Sequence, residues 1–460
     1  MISVLLFVVI YLALFAIGLG PYLLLCPKIL RDYRLVVWLV PVFGIMLIIF
    51  FTSWVFLNNG NIFLVPWLLI LCSLVIVAGL PRILGRWALL REIGIFKKCI
   101  KHWPVTLALP ALIVLVLLAP ISGSQKPEML FHIGSDQVGY SVGAEYLLGG
   151  GKLKELQEKM IELTGESDPV SAVEAYTSLV DFSTAIQSNN LLQGRRWGTP
   201  FVSVQLASLL GLKRTHGVMY VSLALFQLGL FFVALWLLSA QAKLPTLWSA
   251  LGATALTLNC NLLNIILEGA YAQAMTVPIL ILIWGFRFRM IQLDARAQWR
   301  SYLFLALALS GILLTYSDLF YITVALVALA TFLDLAFKDR IRSVHFRFAG
   351  VFALGVTLCL AANWKYVLHS ILDLSLKVKH NQAGGFWQPL WAWPSEIFGF
   401  LDIYSLPNAA ALLMERPILF SIIGGIWTII TLLVFIETVL IAPKNRQPLW
   451  LVPGSCPSFS

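Results

Sequence analysis

The 460-residue chain is 60% hydrophobic and only 12% charged. A water-soluble domain carries about twice that charge, so the composition excludes a single soluble core and requires lipid to solvate much of the surface. The net charge of +10 raises the question of nucleic acid, but the basic residues sit in short loops between apolar runs, the pattern of membrane topology.

The chain opens on an apolar run to about Leu25 with no Lys or Arg before it. A signal peptide has a basic start and a shorter apolar stretch, so this segment reads as a retained transmembrane helix. With roughly 20 apolar residues as the template, spans are predicted at 2–25, 35–57, 62–80, 105–122, 217–239, 247–265, 272–286, 301–316, 319–336, 348–370 and 417–441. The fold class expected is all-α: a polytopic transmembrane bundle of about 11 spans with a helical extracytoplasmic loop. Its parts are N-terminal spans over 1–122, an external loop over 123–216, further spans over 217–371, a Trp-rich external loop over 372–416, and a last span with a short tail over 417–460.

Most of the 32 basic residues fall at 28–34, 82–101, 243, 287–300, 338–347 and 444–446. Short basic loops stay cytoplasmic, which predicts the N-terminus outside and the C-terminus inside. The stretch from Arg82 to Trp103 mixes Arg, Lys, Trp and Leu, as does a helix on the inner leaflet, and equally serves as a basic topology anchor.

The loop at 123–216 carries the acids Asp136, Glu145, Glu155, Glu158 and Glu162 among others. Ser135 is placed to cap a helix through Asp136, Tyr140, Ala144 and Leu147, which Gly149–Gly151 stops. Leu153, Leu156, Met160 and Leu163 recur at helical spacing, the pattern of a helix lying on a membrane or protein surface. Ser167-Asp168-Pro169 starts another helix, and Arg195-Arg196-Trp197-Gly198-Thr199-Pro200 leads into an apolar stretch to Leu210. The later loop has three Trp within Trp387–Trp393, which suit an interfacial belt or an aromatic surface for sugar or lipid.

Three acids gather on the predicted outer side: Asp136, Glu268 and Asp318. Ionisable groups at membrane depth point to function, although Glu268 and Asp318 also read as solvated turn residues. Asp136 at a helix start near the membrane can act as a general base or simply complement the helix dipole. Arg195 and Arg196 can bind phosphate oxygens through paired donors, and Lys365 is a further phosphate candidate or a snorkelling cation. The cysteines Cys26, Cys72, Cys99, Cys260, Cys359 and Cys456 show no metal-type spacing and none lies in the long loop. His132, His380, Asp136 and Glu268 are the groups from which a divalent cation would draw ligands, but their spacing indicates none. No metal site is expected and the cofactor is left open.

The segment His132-Ile133-Gly134-Ser135-Asp136-Gln137-Val138-Gly139-Tyr140, the turn Arg196-Trp197-Gly198-Thr199-Pro200 and the turn Leu314-Thr315-Tyr316-Ser317-Asp318 together resemble the GT-C superfamily of polytopic membrane glycosyltransferases. The resemblance spans about residues 105–340; the family usually carries its acidic loop right after the first span, whereas here three further spans precede the corresponding one. It implies transfer of a sugar from a polyprenyl-phosphate carrier at the outer face of the plasma (inner) membrane. Asp136 is then the matching base, and Tyr140, Arg195, Arg196, Glu268, Asp318 and Lys365 are the substrate-binding candidates. The implied partners are membrane lipids and a lipid-linked sugar donor, with no nucleic acid; the oligomeric state is open. Competing readings are a transporter or flippase of a lipid-linked glycan or small solute, and a polymerase or ligase of surface polysaccharide. Against transport, the spans hold few buried charges and show no related halves.

Overall fold

The computed structural model describes residues 2–123, 135–166, 175, 191, 196–258, 271–296, 298–337, 342–368 and 370. Every regular element among them is helical, and seven helices are long and apolar enough to cross a membrane, or eight if one bent pair counts as a span. The protein is therefore an all-α polytopic membrane bundle.

The helices are α1 (Ile2–Leu25), α2 (Tyr33–Leu57), α3 (Val65–Lys101), α4 (Leu109–Gly123), α5 (Ser135–Leu148), α6 (Leu153–Thr164), α7 (Gly198–Leu209), α8 (His216–Trp236), α9 (Thr246–Thr257), α10 (Tyr271–Gln292), α11 (Trp299–Thr315), α12 (Ser317–Phe337) and α13 (Arg342–Ala362). Their ends follow local chemistry. Arg31 donates to the last carbonyls of α1, from Nε to Cys26 O at 3.1 Å and from Nη2 to Leu23 O at 2.8 Å. Asp32 then caps α2 by accepting from Arg34 N at 2.9 Å. Glu145 accepts from Thr215 N at 2.7 Å and from its hydroxyl at 2.8 Å, tying α5 to the start of α8.

α2 and α8 are buried along most of their length, whereas α1, α3 and α12 leave much of their apolar surface exposed. α1 packs on α2 and α3; α8 on α9, α10, α1 and α4; and α11 on α13 and α2. Glycine brings the first two helices together. A Cβ on Gly18 would lie 1.9 Å from Val40 O, and one on Gly44 would lie 2.5 Å from Leu14 O, so the backbones touch.

Several spans differ from expectation. α10 runs to Gln292, six residues past the predicted end at 286. Hydropathy stops at Arg287, but that side chain is buried, donates to Asp334 and to Ala330 O at 3.2 Å, and so stays inside the bundle. α13 likewise begins at Arg342 rather than 348 because His345 is buried 3.3 Å from the same Asp334. The expected span at 62–80 continues as one helix to Lys101, and the chain turns by 86° into the next apolar helix. The span expected at 247–265 is helical as far as Thr257. α11 is the short apolar helix expected at 301–316. The segment from Ser167 to Pro169, the Trp-rich loop and the span at 417–441 lie outside the described residues.

Contacts between loops define two faces. On one, Lys154 N donates to Asn59 Oδ1 at 3.1 Å and Lys365 Nζ to Asn58 Oδ1 at 2.6 Å. On the other, Tyr33 stacks on His102 at 5.0 Å, Arg347 pairs with Asp294, and the turn Lys28–Leu30 packs on α10. These groupings match the alternation predicted from the basic loops. Exposed tryptophans mark both boundaries: Trp54, Trp67 and Trp364 beside the first face, Trp103, Trp248 and Trp299 beside the second. Such rings favour the headgroup level of a bilayer.

Candidate functional site

Two of the sequence candidates, Arg196 and Tyr140, are in contact. Arg196 ends the chain's approach to α7 with a left-handed backbone, φ 51°, a conformation that a side chain with Cβ adopts at a cost. Its guanidinium Nη1 donates to the Tyr140 hydroxyl at 3.1 Å, and its carbon lies 4.7 Å from the centre of the Tyr316 ring. One planar cation thus makes a directed hydrogen bond and a cation–π contact at once, which an ammonium does less well.

Each partner is fixed by its helix. Tyr140 sits on the second turn of α5, is fully buried, and meets Tyr271 of α10 edge-on at 6.1 Å. Tyr220 of α8 lies 6.5 Å from Tyr271. Beneath Arg196, Trp197 is buried among Phe56, Phe201 and Tyr366, with ring centroids 5.3, 5.6 and 5.1 Å away. Gly198 then lets α7 approach α11, since a Cβ there would fall 2.1 Å from Thr315 Oγ1. α7 is buried from Gly198 to Ala207, so this part of the predicted outer loop belongs to the bundle core. Three buried hydroxyls around this cluster, of Thr199, Tyr271 and Thr315, have no hydrogen-bond partner among the described residues.

Asp136 is the second residue of α5, one turn before Tyr140, and Asp318 is the second residue of α12, two after Tyr316. Their side chains lie outside the described part, as do Arg195 and Glu268 altogether. The three sequence segments at 135–147, 196–200 and 314–318 nevertheless meet through Tyr140, Arg196, Thr315 and Tyr316. Lys365 is engaged elsewhere, at Asn58 and 5.8 Å from the Trp364 ring. Glu145, one of the loop acids, caps α8 and has a structural task. α6 resolves the two surface readings towards protein: Leu153, Leu156 and Met160 are buried, while Leu163 remains exposed.

Tyr316, Trp197 and Tyr271 were not singled out as site residues by sequence. Tyr316 stands inside a quoted motif, but a tyrosine at a helix boundary reads equally as an interfacial anchor. No cluster of three or more metal-ligating side chains occurs among the described residues; the four candidate groups at 132, 136, 268 and 380 fall outside that description. No protein-family model, curated protein or solved structure matches the chain.

Proposed function

We propose that this membrane protein transfers a sugar from a lipid-phosphate carrier to an acceptor hydroxyl at the extracytoplasmic face of the plasma (inner) membrane. In this reading the N-terminus is outside, the C-terminus is cytoplasmic, and the face bearing Asn58, Lys154 and Lys365 is external. The observation that carries the proposal is the clamp of Arg196 between Tyr140 and Tyr316, which draws the three motif segments to one place.

The acceptor oxygen attacks the anomeric carbon, forming a new C–O bond. The bond from that carbon to the carrier phosphate breaks, and its electron pair leaves with the phosphate. Asp136 takes the proton of the acceptor hydroxyl as general base. Arg196, held in place by two tyrosines, offsets the charge that grows on the leaving phosphate, aided by its neighbour Arg195. Glu268 and Asp318 are left to orient hydroxyls of the substrates.

The test is transfer from a polyprenyl-phosphate sugar by purified protein in lipid nanodiscs. Asp136→Asn should lower the rate by about 10²–10⁴-fold with normal insertion and melting. Arg196→Ala should lower it by about 10²–10³-fold. Undiminished transfer by Asp136→Asn removes that carboxylate as the base.

A further inference from the structure

A cleft of about 410 Å³ opens on the Asn58 face between the turn joining α2 to α3 and the glycine turn after α5. It is backed by Phe56, whose other side meets Trp197, so one aromatic pair separates it from the Arg196 cluster. Its volume falls within the range of small-molecule sites.

The walls are set by the chain's own bonds. Gly151 is in contact with the Tyr146 ring, where a Cβ would fall 2.2 Å from Cζ, and the Tyr146 hydroxyl donates to Lys152 O at 2.9 Å. On the facing wall Asn59 Oδ1 accepts from Lys154 N at 3.1 Å, and Asn61 Oδ1 accepts from Phe63 N at 3.0 Å. A backbone N–H can only donate, so these bonds fix each amide's oxygen on the chain and leave its NH₂ as the available donor. Phe63 adds a half-buried ring.

The glycines of the lining offer an anion no cradle. The N–H groups of Gly60, Gly150 and Gly151 are spent on Val55 O, Leu147 O and Tyr146 O at 2.9, 3.0 and 3.1 Å, so the glycine backbone forms no nest of free donors. Lys152 lies 3.6 Å from the Glu155 carboxylate, which offsets its charge. What is left is a pair of oriented amide donors beside an aromatic ring, which matches the hydroxyls and apolar face of a sugar. We infer that this cleft seats a neutral saccharide unit. The binding stands on the lining alone; that the saccharide is the acceptor of the transfer rests on the proposed function.

The experiment is saturation-transfer NMR on the full chain in nanodiscs, with methyl mannoside, methyl glucoside and N-acetylglucosamine as neutral probes and a hexose phosphate as the anionic comparison. At least one neutral probe should bind, and no more weakly than the phosphate. Asn61→Asp keeps the acceptor for Phe63 N but removes the NH₂ donor, and should weaken binding by at least about tenfold, a change of about 1.4 kcal/mol. Failure of all three neutral probes, preference for the phosphate, or unchanged binding by Asn61→Asp overturns the inference. Sugar binding by a wild-type chain that shows no transfer overturns the transfer reading alone.

Discussion

Arg196 illustrates how one residue joins elements distant in sequence. Its left-handed backbone costs about 1–3 kcal/mol, and its contacts to Tyr140 and Tyr316 hold that conformation in place. Arg196→Lys keeps the charge but loses the planar fork. Transfer should fall by about tenfold, equivalent to some 1.4 kcal/mol of barrier, less than for Arg196→Ala; equal losses in the two variants would mean that the guanidinium geometry is unimportant. Gly198→Ala tests the floor of the same cluster. Its Cβ would meet Thr315 Oγ1 at 2.1 Å and Thr315 Cα at 3.0 Å, so α7 and α11 must part. A loss of about 1–3 kcal/mol is expected for such overpacking, read as a lower melting temperature together with slower transfer. A wild-type melting curve would show that the two helices tolerate separation. Tyr140 and Arg196 could be named from sequence because each stands in one of the motif segments, 132–140 and 196–200. Tyr316 was not named, because its part depends on an arginine 120 positions earlier.

At the scale of elements, α10, α12 and α13 are joined by a buried ionic group of Arg287, Asp334 and His345. The guanidinium also faces the rings of Trp284, Phe288 and Phe348 at 5.6, 5.7 and 5.8 Å. Removing one partner strands a buried charge, at a cost of about 3–5 kcal/mol. Asp334→Ala should therefore lower the melting temperature of the purified protein sharply. Arg287→Met combined with Asp334→Leu should recover most of that loss, because the penalty belongs to the stranded charge rather than to the missing attraction. A double variant no better than Asp334→Ala would argue that the ion pair itself supplies the stability. This group also explains the misplaced helix ends. Hydropathy counts a charge as a boundary, yet here the charges are inside because each has its counterpart on a neighbouring helix.

Across the whole molecule, the grouping of loops on two faces and the two bands of exposed tryptophans give the proposed orientation a direct check. Asn59→Cys should react with a membrane-impermeant maleimide added to intact cells. Leu293→Cys, at an exposed position on the opposite face, should react only after the membrane is opened. The reverse pattern would place Asp136 on the cytoplasmic side and defeat the proposed chemistry. The sequence by itself determined that the chain is an all-helical membrane bundle and where most of the described helices lie, because both depend on local apolar length. Only the tertiary structure decided which helices are central. α1 and α2 are similarly apolar, yet α2 is mostly buried and α1 mostly exposed. Lipid and protein interior select the same side chains, so composition cannot separate them. The same holds for the cluster at Arg196 and the saccharide cleft, whose walls come from segments that only packing brings together.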